Sequence, residues 1–325
     1  MANRRSETAT GGEVRRFFER WISGRGSDPL AFVFEGRTRS FGRGFFALVL
    51  SVALAACTTT SPAPRAIQPP TSTKYAAMVV DAASGKLLYE ANSNAARYPA
   101  SLTKMMTLYL LFEAIDTGRV AKTTEIPVSD RARGQPPSKM GFKKDQTIDI
   151  DSAIRALCVK SANDVAVAVA EYLGGSEDAF AGMMTAKARA LGMNGTVFRN
   201  ASGLPDDGQR TTARDMAVLG MALQRRFPHH YPYFSATQFA YRGKNVMGHN
   251  ELLKSVRGVD GIKTGYIRAS GYNIVTSVAR GGRRLIVVVM GGDSARARNA
   301  HVAELIERYL PDGPPRDAGN PLDLF

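Results

Sequence analysis

Apolar and polar positions along the chain fall into three regimes. Residues 75–81, Tyr-Ala-Ala-Met-Val-Val-Asp, predict a strand, which Ala83-Ser84-Gly85 turns so that 86–90 return antiparallel as a hairpin. In the middle of the chain the apolar residues recur at helical spacing. Met105, Met106, Tyr109, Leu110 and Phe112 describe a helix closed near 117 by Gly118, apolar enough to lie in a core rather than on a surface. Residues 122–149 mix short β-like runs with Gly and Pro and read as a loop-rich crossing. Residues 151–159 predict a helix capped by Asp151, broken at 160–164 and resumed as an alanine-rich helix up to Gly174-Gly175. Residues 176–227 continue as helix, turn, helix, with turns at Asn194-Gly195 and Asn200–Pro205. Strands then return at 258–267, 272–279 and 285–290, the last two joined at Gly281-Gly282, before a final helix over 295–310. Strands open and close the chain and helices fill it. This predicts an α/β protein of α+β type: a mostly antiparallel sheet flanked by helices, with an inserted helical subdomain and a site in the cleft between them.

The segment before this pattern reads as an address. An uncharged apolar run over 44–56 follows Arg37, Arg39 and Arg43 and is too short to span a bilayer comfortably. It ends Leu54-Ala55-Ala56-Cys57, which resembles the lipobox of bacterial lipoproteins and makes Cys57 the candidate lipidated residue; Ala53-Leu54-Ala55 is the competing plain cleavage site. Residues 1–57 are therefore read as a leader, 58–74 (rich in Thr, Ser and Pro) as a flexible linker, and 311–325 as a disordered tail. The expected location is the cell envelope or periplasm, with membrane attachment through Cys57.

Composition sharpens the picture only in part. The net charge is +14, yet no run of Lys or Arg exceeds two residues, so the excess points to an anionic surface or substrate and not to nucleic acid. The two cysteines, Cys57 and Cys158, lie in unlike contexts and predict no disulfide; Cys158 reads as a small buried hydrophobe. The four histidines show no metal-ligand spacing, and His229-His230 reads as a surface pair, so neither metal nor organic cofactor is expected.

The chemistry is carried by three short motifs. Ser101-Leu102-Thr103-Lys104 puts a hydroxyl and an amine one turn apart at the opening of the first apolar helix. Alone this is equally a serine N-cap with a solvated lysine. It is joined by Ser161-Ala162-Asn163 at the interhelix break and by Lys263-Thr264-Gly265 on a strand. In that order and on those elements the trio resembles the penicillin-recognising serine enzymes. The longer stretches Ser101–Met106, Ser161–Glu171, Gln209–Gly220, Asp260–Gly265, Gly271-Tyr272-Asn273 and Val289-Met290-Gly291-Gly292 are similar to the low-molecular-weight D-alanyl-D-alanine carboxypeptidases. The resemblance covers about residues 75–310 and implies a β-lactamase/transpeptidase-like fold for that catalytic domain.

The residues account for the chemistry in their own right. Ser101 at a helix start sits in the positive end of the dipole, which suits a developing oxyanion. The same field, with Lys263 nearby, disfavours a charged Lys104, and a neutral Lys104 can take the Ser101 proton. Ser161 is placed to relay that proton, and Asn163 to orient Lys104 and hold a substrate carbonyl. The strand bearing Lys263, Thr264 and Gly265 can pair with an extended peptide, with Gly265 leaving room for its approach and the Tyr266 N–H as second oxyanion donor. The resemblance further implies an arginine for the terminal carboxylate, with Thr264 as helper. Arg298 matches its position, and Arg296 is the wrong-register alternative.

These readings imply removal of the terminal D-alanine from muropeptide pentapeptides through a Ser101 acyl-enzyme, with β-lactams as inhibitors. A D,D-endopeptidase acting on cross-links shares the motifs. A class A β-lactamase is disfavoured because 193–207 contain no Glu. A non-enzymatic penicillin-binding envelope lipoprotein would require a broken motif, and none is broken. Relatives often carry a second β-rich domain and a carboxy-terminal anchor; neither is expected before Phe325, and attachment through Cys57 would replace the anchor.

Overall fold

The computed structural model describes residues 70–312; the leader, Cys57, most of the linker and nearly all of the tail read from the sequence lie outside the described residues. β1 (Ala76–Asp81) and β2 (Leu87–Ala91) form the first hairpin. A 3₁₀ turn over Ala100–Thr103 runs into α1 (Lys104–Asp116). The loop-rich crossing contains β3 (Glu125–Pro127), the short α2 (Asp130–Arg133) and β4 (Thr147–Asp149), the two strands pairing antiparallel.

α3 (Ile150–Arg155) is capped by Asp149, whose carboxylate accepts from Ser152 N at 2.8 Å, and not by Asp151 as the sequence predicts. Asp151 lies inside the first turn and pairs with Arg155 at 2.7 Å. The helix then widens into a π turn over Ala156–Lys160. Cys158 on this turn is free and half-buried, and burial pushes its thiol up to about 12. After the break come α4 (Asn163–Gly174), α5 (Glu177–Ala190) and α6 (Ala213–Arg226). Residues 228–257, which show no clear period, hold a 3₁₀ turn at Tyr231–Ser235, the hairpin β5 (Gln238–Tyr241) and β6 (Lys244–Met247), and the short α7 (Leu252–Ser255). The long strands β7 (Val259–Ile267), β8 (Gly271–Arg280) and β9 (Arg283–Gly292) lead to α8 (Ala295–Tyr309), capped by Ser294.

The main sheet has the order β2-β1-β9-β8-β7, antiparallel throughout. Its first and last strands in sequence thus meet in the middle. Both faces are covered, which is why β1 and β9 read as unbroken apolar runs. Met78, Val80, Ile286, Val288 and Met290 face the helical subdomain with α1 and α6, whereas Ala77, Val79, Leu285, Val287 and Val289 face α8. α1 is buried along almost its whole length, as its composition requires. β7 is left as the sheet's edge beside the helical subdomain, and an edge strand turns alternate N–H and C=O groups outward.

Candidate active site

Ser101 lies in the 3₁₀ turn just ahead of α1, not within the α-helix itself. Two glycines hold this turn. A Cβ on Gly203, where φ is +85°, would meet the Ala100 carbonyl oxygen at 1.8 Å. A Cβ on Gly265 would meet Ser101 N at 2.9 Å and Leu102 N at 3.1 Å. The serine turn therefore packs directly on β7 at Gly265, which also lines the cleft. Asn273 on β8 adds a third tie: its amide donates to Tyr98 O at 3.0 Å and accepts from Gly291 N at 2.9 Å.

Lys104 is the first residue of α1 and is fully buried. Its Nζ lies 2.7 Å from Asn163 Oδ1, 2.6 Å from Ser202 O and 3.3 Å from Ser101 Oγ. Burial, and then the charge of Lys263, hold this amine well below the ordinary lysine range; Asp164 and Glu177 oppose the shift. A neutral amine has two N–H donors and one lone pair. The two short contacts to oxygen acceptors take the donors, which leaves the lone pair for the Ser101 hydroxyl proton.

Ser161 and Asn163 enter at the helix break. The chain reverses there because Ser161 adopts left-handed φ/ψ of 58° and 40° before α4 begins. Ser161 Oγ is buried and has no hydrogen-bond partner among the described residues, so it faces the cleft without bonding Ser101 or Lys104. Asn163 Nδ2 donates to Pro136 O at 2.9 Å, which fixes the amide with Oδ1 toward Lys104 and leaves one N–H over. Asp164, fully buried, accepts from the backbone N–H groups of Met140, Gly141 and Val165 at 2.9–3.0 Å and so anchors the 136–141 loop beside the break.

Lys263 is buried on β7, bonds the Thr264 carbonyl at 2.8 Å, and is pushed by burial down to about 8. Arg298, one turn into α8, is 4% exposed and donates to Asn273 O at 3.1 Å and to Asn299 Oδ1 at 2.7 Å; burial lowers it to about 10. Arg296 is exposed, whereas Arg298 lines the cleft.

A cleft of about 580 Å³ gathers Ser101, Ser161, Asn163, Thr264, Gly265, Tyr266 and Arg298 on its walls; Lys104 is buried against Ser101, and the buried Lys263 lines a neighbouring cavity close enough for its charge to act on Lys104. Tyr266 is half-exposed and packs its ring on Tyr272 at 4.3 Å. Every site residue expected from the sequence within the described chain meets here. Missed were the Ser202 carbonyl, for which backbone chemistry leaves no sequence signal, and the supporting roles of Asp164 and Asn273, which sit inside motif runs but whose partners are distant in sequence.

The sequence pattern of the D-alanyl-D-alanine carboxypeptidase family matches residues 63–294. The chain belongs to this family. It is 39% identical over 236 residues to the D-alanyl-D-alanine carboxypeptidase DacA of Escherichia coli K12, covering 70% of this chain and 59% of that one. With DacF of Bacillus subtilis it shares 33% over 242 residues, covering 71% and 60%. The chain thus spans about three fifths of the length of these relatives. The fold is that of penicillin-binding protein 5 of Haemophilus influenzae, with a TM-score of 0.71 at 32% identity over 75% of this chain and 72% of that one. It is likewise similar to penicillin-binding protein D2 of Listeria monocytogenes in its ampicillin-bound form, with a TM-score of 0.66 at 30% identity over 71% and 95%. The family's β-lactamase/transpeptidase-like architecture is the α/β arrangement described above.

Proposed function

We propose that this protein is a serine-type D-Ala-D-Ala carboxypeptidase that removes the terminal D-alanine from peptidoglycan pentapeptides and is acylated by penicillins. The observation that carries the reading is the environment of Lys104: a fully buried amine, beside a second buried lysine, 3.3 Å from a serine hydroxyl. In this reading Lys104 is the neutral base that takes the Ser101 proton as Oγ attacks the penultimate D-alanine carbonyl. The N–H groups of Ser101 and Tyr266 receive the oxyanion. Ser161, unpartnered in the resting site, passes the proton to the leaving amine. Lys263 stays cationic, and Arg298 with Thr264 holds the substrate carboxylate. Water then releases the acyl-enzyme, with Lys104 again as base. No metal or organic cofactor has a part in these steps.

Residues 75–310 constitute the catalytic domain in this reading. The lipobox-like Leu54-Ala55-Ala56-Cys57 supports export and attachment to the envelope membrane through lipidated Cys57. Mass spectrometry of the mature amino terminus tests that attachment. The catalytic reading is tested by labelling with a fluorescent penicillin and by assay on monomeric and cross-linked muropeptides. Label on the native chain, none on Ser101→Ala, and D-alanine released from monomers are expected. No label on the native chain would sink the mechanism, and product from cross-linked dimers alone would make the protein an endopeptidase.

A further inference from the structure

At the far end of α1 the structure brings together three side chains that the catalytic reading does not use. Asp116 is the last residue of the helix, some 18 Å along its axis from Lys104 at a rise of about 1.5 Å per residue. His229 and His230 lie in the turn after α6, closed by His230 N and Tyr231 N donating to Phe227 O at 3.0 and 2.9 Å. The sequence reads this pair as a surface feature, but only His229 is exposed. His230 is 2% exposed, its ring stacked on Phe112 of α1 at 4.7 Å and 13°.

The two Nε2 atoms converge on one carboxylate oxygen: each lies 2.9 Å from Asp116 Oδ1. Their rings sit 4.1 Å apart, and the ligand atoms all fall within 4.8 Å of one another. As hydrogen bonds alone this puts two imidazoles on one carboxylate oxygen, whose two lone pairs can accept both. A tetrahedral ion with bonds of about 2.0–2.2 Å to N and O needs ligand atoms about 3.3 Å apart, so these contacts need to open by only a few tenths of an ångström to admit one. His230 Nδ1 is buried without a partner among the described residues, and Nε2 is the ring atom aimed at Asp116.

We propose that Asp116, His229 and His230 form a binding site for a divalent transition metal of the zinc class, outside the catalytic cleft. Two imidazoles and one carboxylate are a borderline-soft donor set that suits zinc over magnesium, and the exposed side leaves the fourth position to water. The ion pins the C-terminal end of the helix that begins with Lys104 to the turn after α6, so occupancy stabilises the folded chain without entering the reaction.

The test uses the full chain, tag-free and stripped with a chelator, titrated with zinc chloride by calorimetry and followed by thermal unfolding, with magnesium chloride as control. One equivalent is expected to bind saturably in the micromolar range and to raise the unfolding temperature by a few degrees at a hundredfold excess over Kd, while magnesium does neither. His229→Ala, at a side chain already in solvent, and Asp116→Asn should each weaken zinc at least tenfold while keeping the native unfolding transition and the rate of penicillin labelling. Absence of saturable binding below the millimolar range, or native affinity retained in both variants, overturns the proposal and leaves the trio as a carboxylate bonded by two imidazoles. The penicillin label reports on the catalytic reading separately, so the two can fail independently.

Discussion

At the scale of single residues the site turns on two buried lysines that burial treats alike and the proposed chemistry uses oppositely. Lys104 must be neutral to act, and its amine is held well below the ordinary range, so acylation rises with pH as that proton leaves. Lys263 must be charged, and it is lowered only to about 8, so acylation falls again as pH climbs through that region. The predicted profile of penicillin acylation against pH is bell-shaped, and Lys263→Arg moves its basic limb upward because guanidinium keeps its proton. A basic limb that stays in place in that variant would assign it to another group. Replacing Lys104 by Ala should slow acylation by about 10²–10⁴-fold, the usual worth of a positioned base. Arg298 permits a sharper readout. If it binds the terminal carboxylate, Arg298→Ala should collapse the preference for free-acid over C-terminally amidated peptides by about 10²-fold, and a preference left intact would remove Arg298 from the site.

At the scale of elements, the helix break between α3 and α4 places Ser161 and Asn163, and it is held from outside. The Asp164 carboxylate binds three backbone N–H groups, two of them on the 136–141 loop whose Pro136 carbonyl orients Asn163. Asp164→Asn turns one acceptor oxygen into a donor facing those groups. The expected result is a loss of about 2 kcal/mol in unfolding free energy and faster amide exchange at 140–141, with slower acylation in proportion to the loosened loop. Unchanged exchange there would show that other contacts hold the loop. The serine turn is held more tightly: Gly203→Ala sets a Cβ 1.8 Å from a carbonyl oxygen at positive φ, and should cost about 3 kcal/mol along with acylation, read by thermal unfolding and labelling.

Several of these elements are legible in the sequence, for identifiable reasons. The strands β7–β9 stand out as apolar runs and helices α1, α4, α5, α6 and α8 by their apolar spacing, and Gly281-Gly282 marks its hairpin by the positive φ that both residues adopt, 52° and 73°. The cap of α3 lies two residues ahead of the expected one because Asp149 and Asp151 are both acceptable caps, and only the backbone angles decide between them. Residues 228–257 yield no element from their pattern because β5, β6 and α7 are four residues each, too short to show a period.

At the scale of the molecule, closure of the sheet joins the two ends of the described chain. β1 pairs with β9 from Ala76 opposite Met290 to Asp81 opposite Leu285, and β7 at the far edge supports the serine turn. The site is thus assembled from α1, the α3–α4 break, the 200–204 turn, β7 and α8, and no contiguous piece contains it. A chain limited to residues 70–312 is expected to acylate with penicillin within about twofold of the full chain, since every group named in the site lies inside it. A chain ending before β9 should neither fold nor label, because β1 and β8 would both lose a partner. Labelling of that shorter chain would refute a site built on sheet closure.

By itself the sequence determined the family, the class of fold and the motifs on which the proposed chemistry rests. Ser101 with Lys104, Ser161 with Asn163, and Lys263 with Thr264 and Gly265 are local motifs on elements whose periods are local, and both kinds of signal are written within a few residues. Tertiary structure decided what depends on distant neighbours. It buried Arg298 in the cleft and left Arg296 in solvent, and gave Lys104 its third contact through the Ser202 carbonyl. It also made Gly265 the seat of the serine turn. A proton affinity, a rotamer or a steric clearance is set by whatever packs within a few ångströms, and here those neighbours come from as far as 175 residues away in the chain.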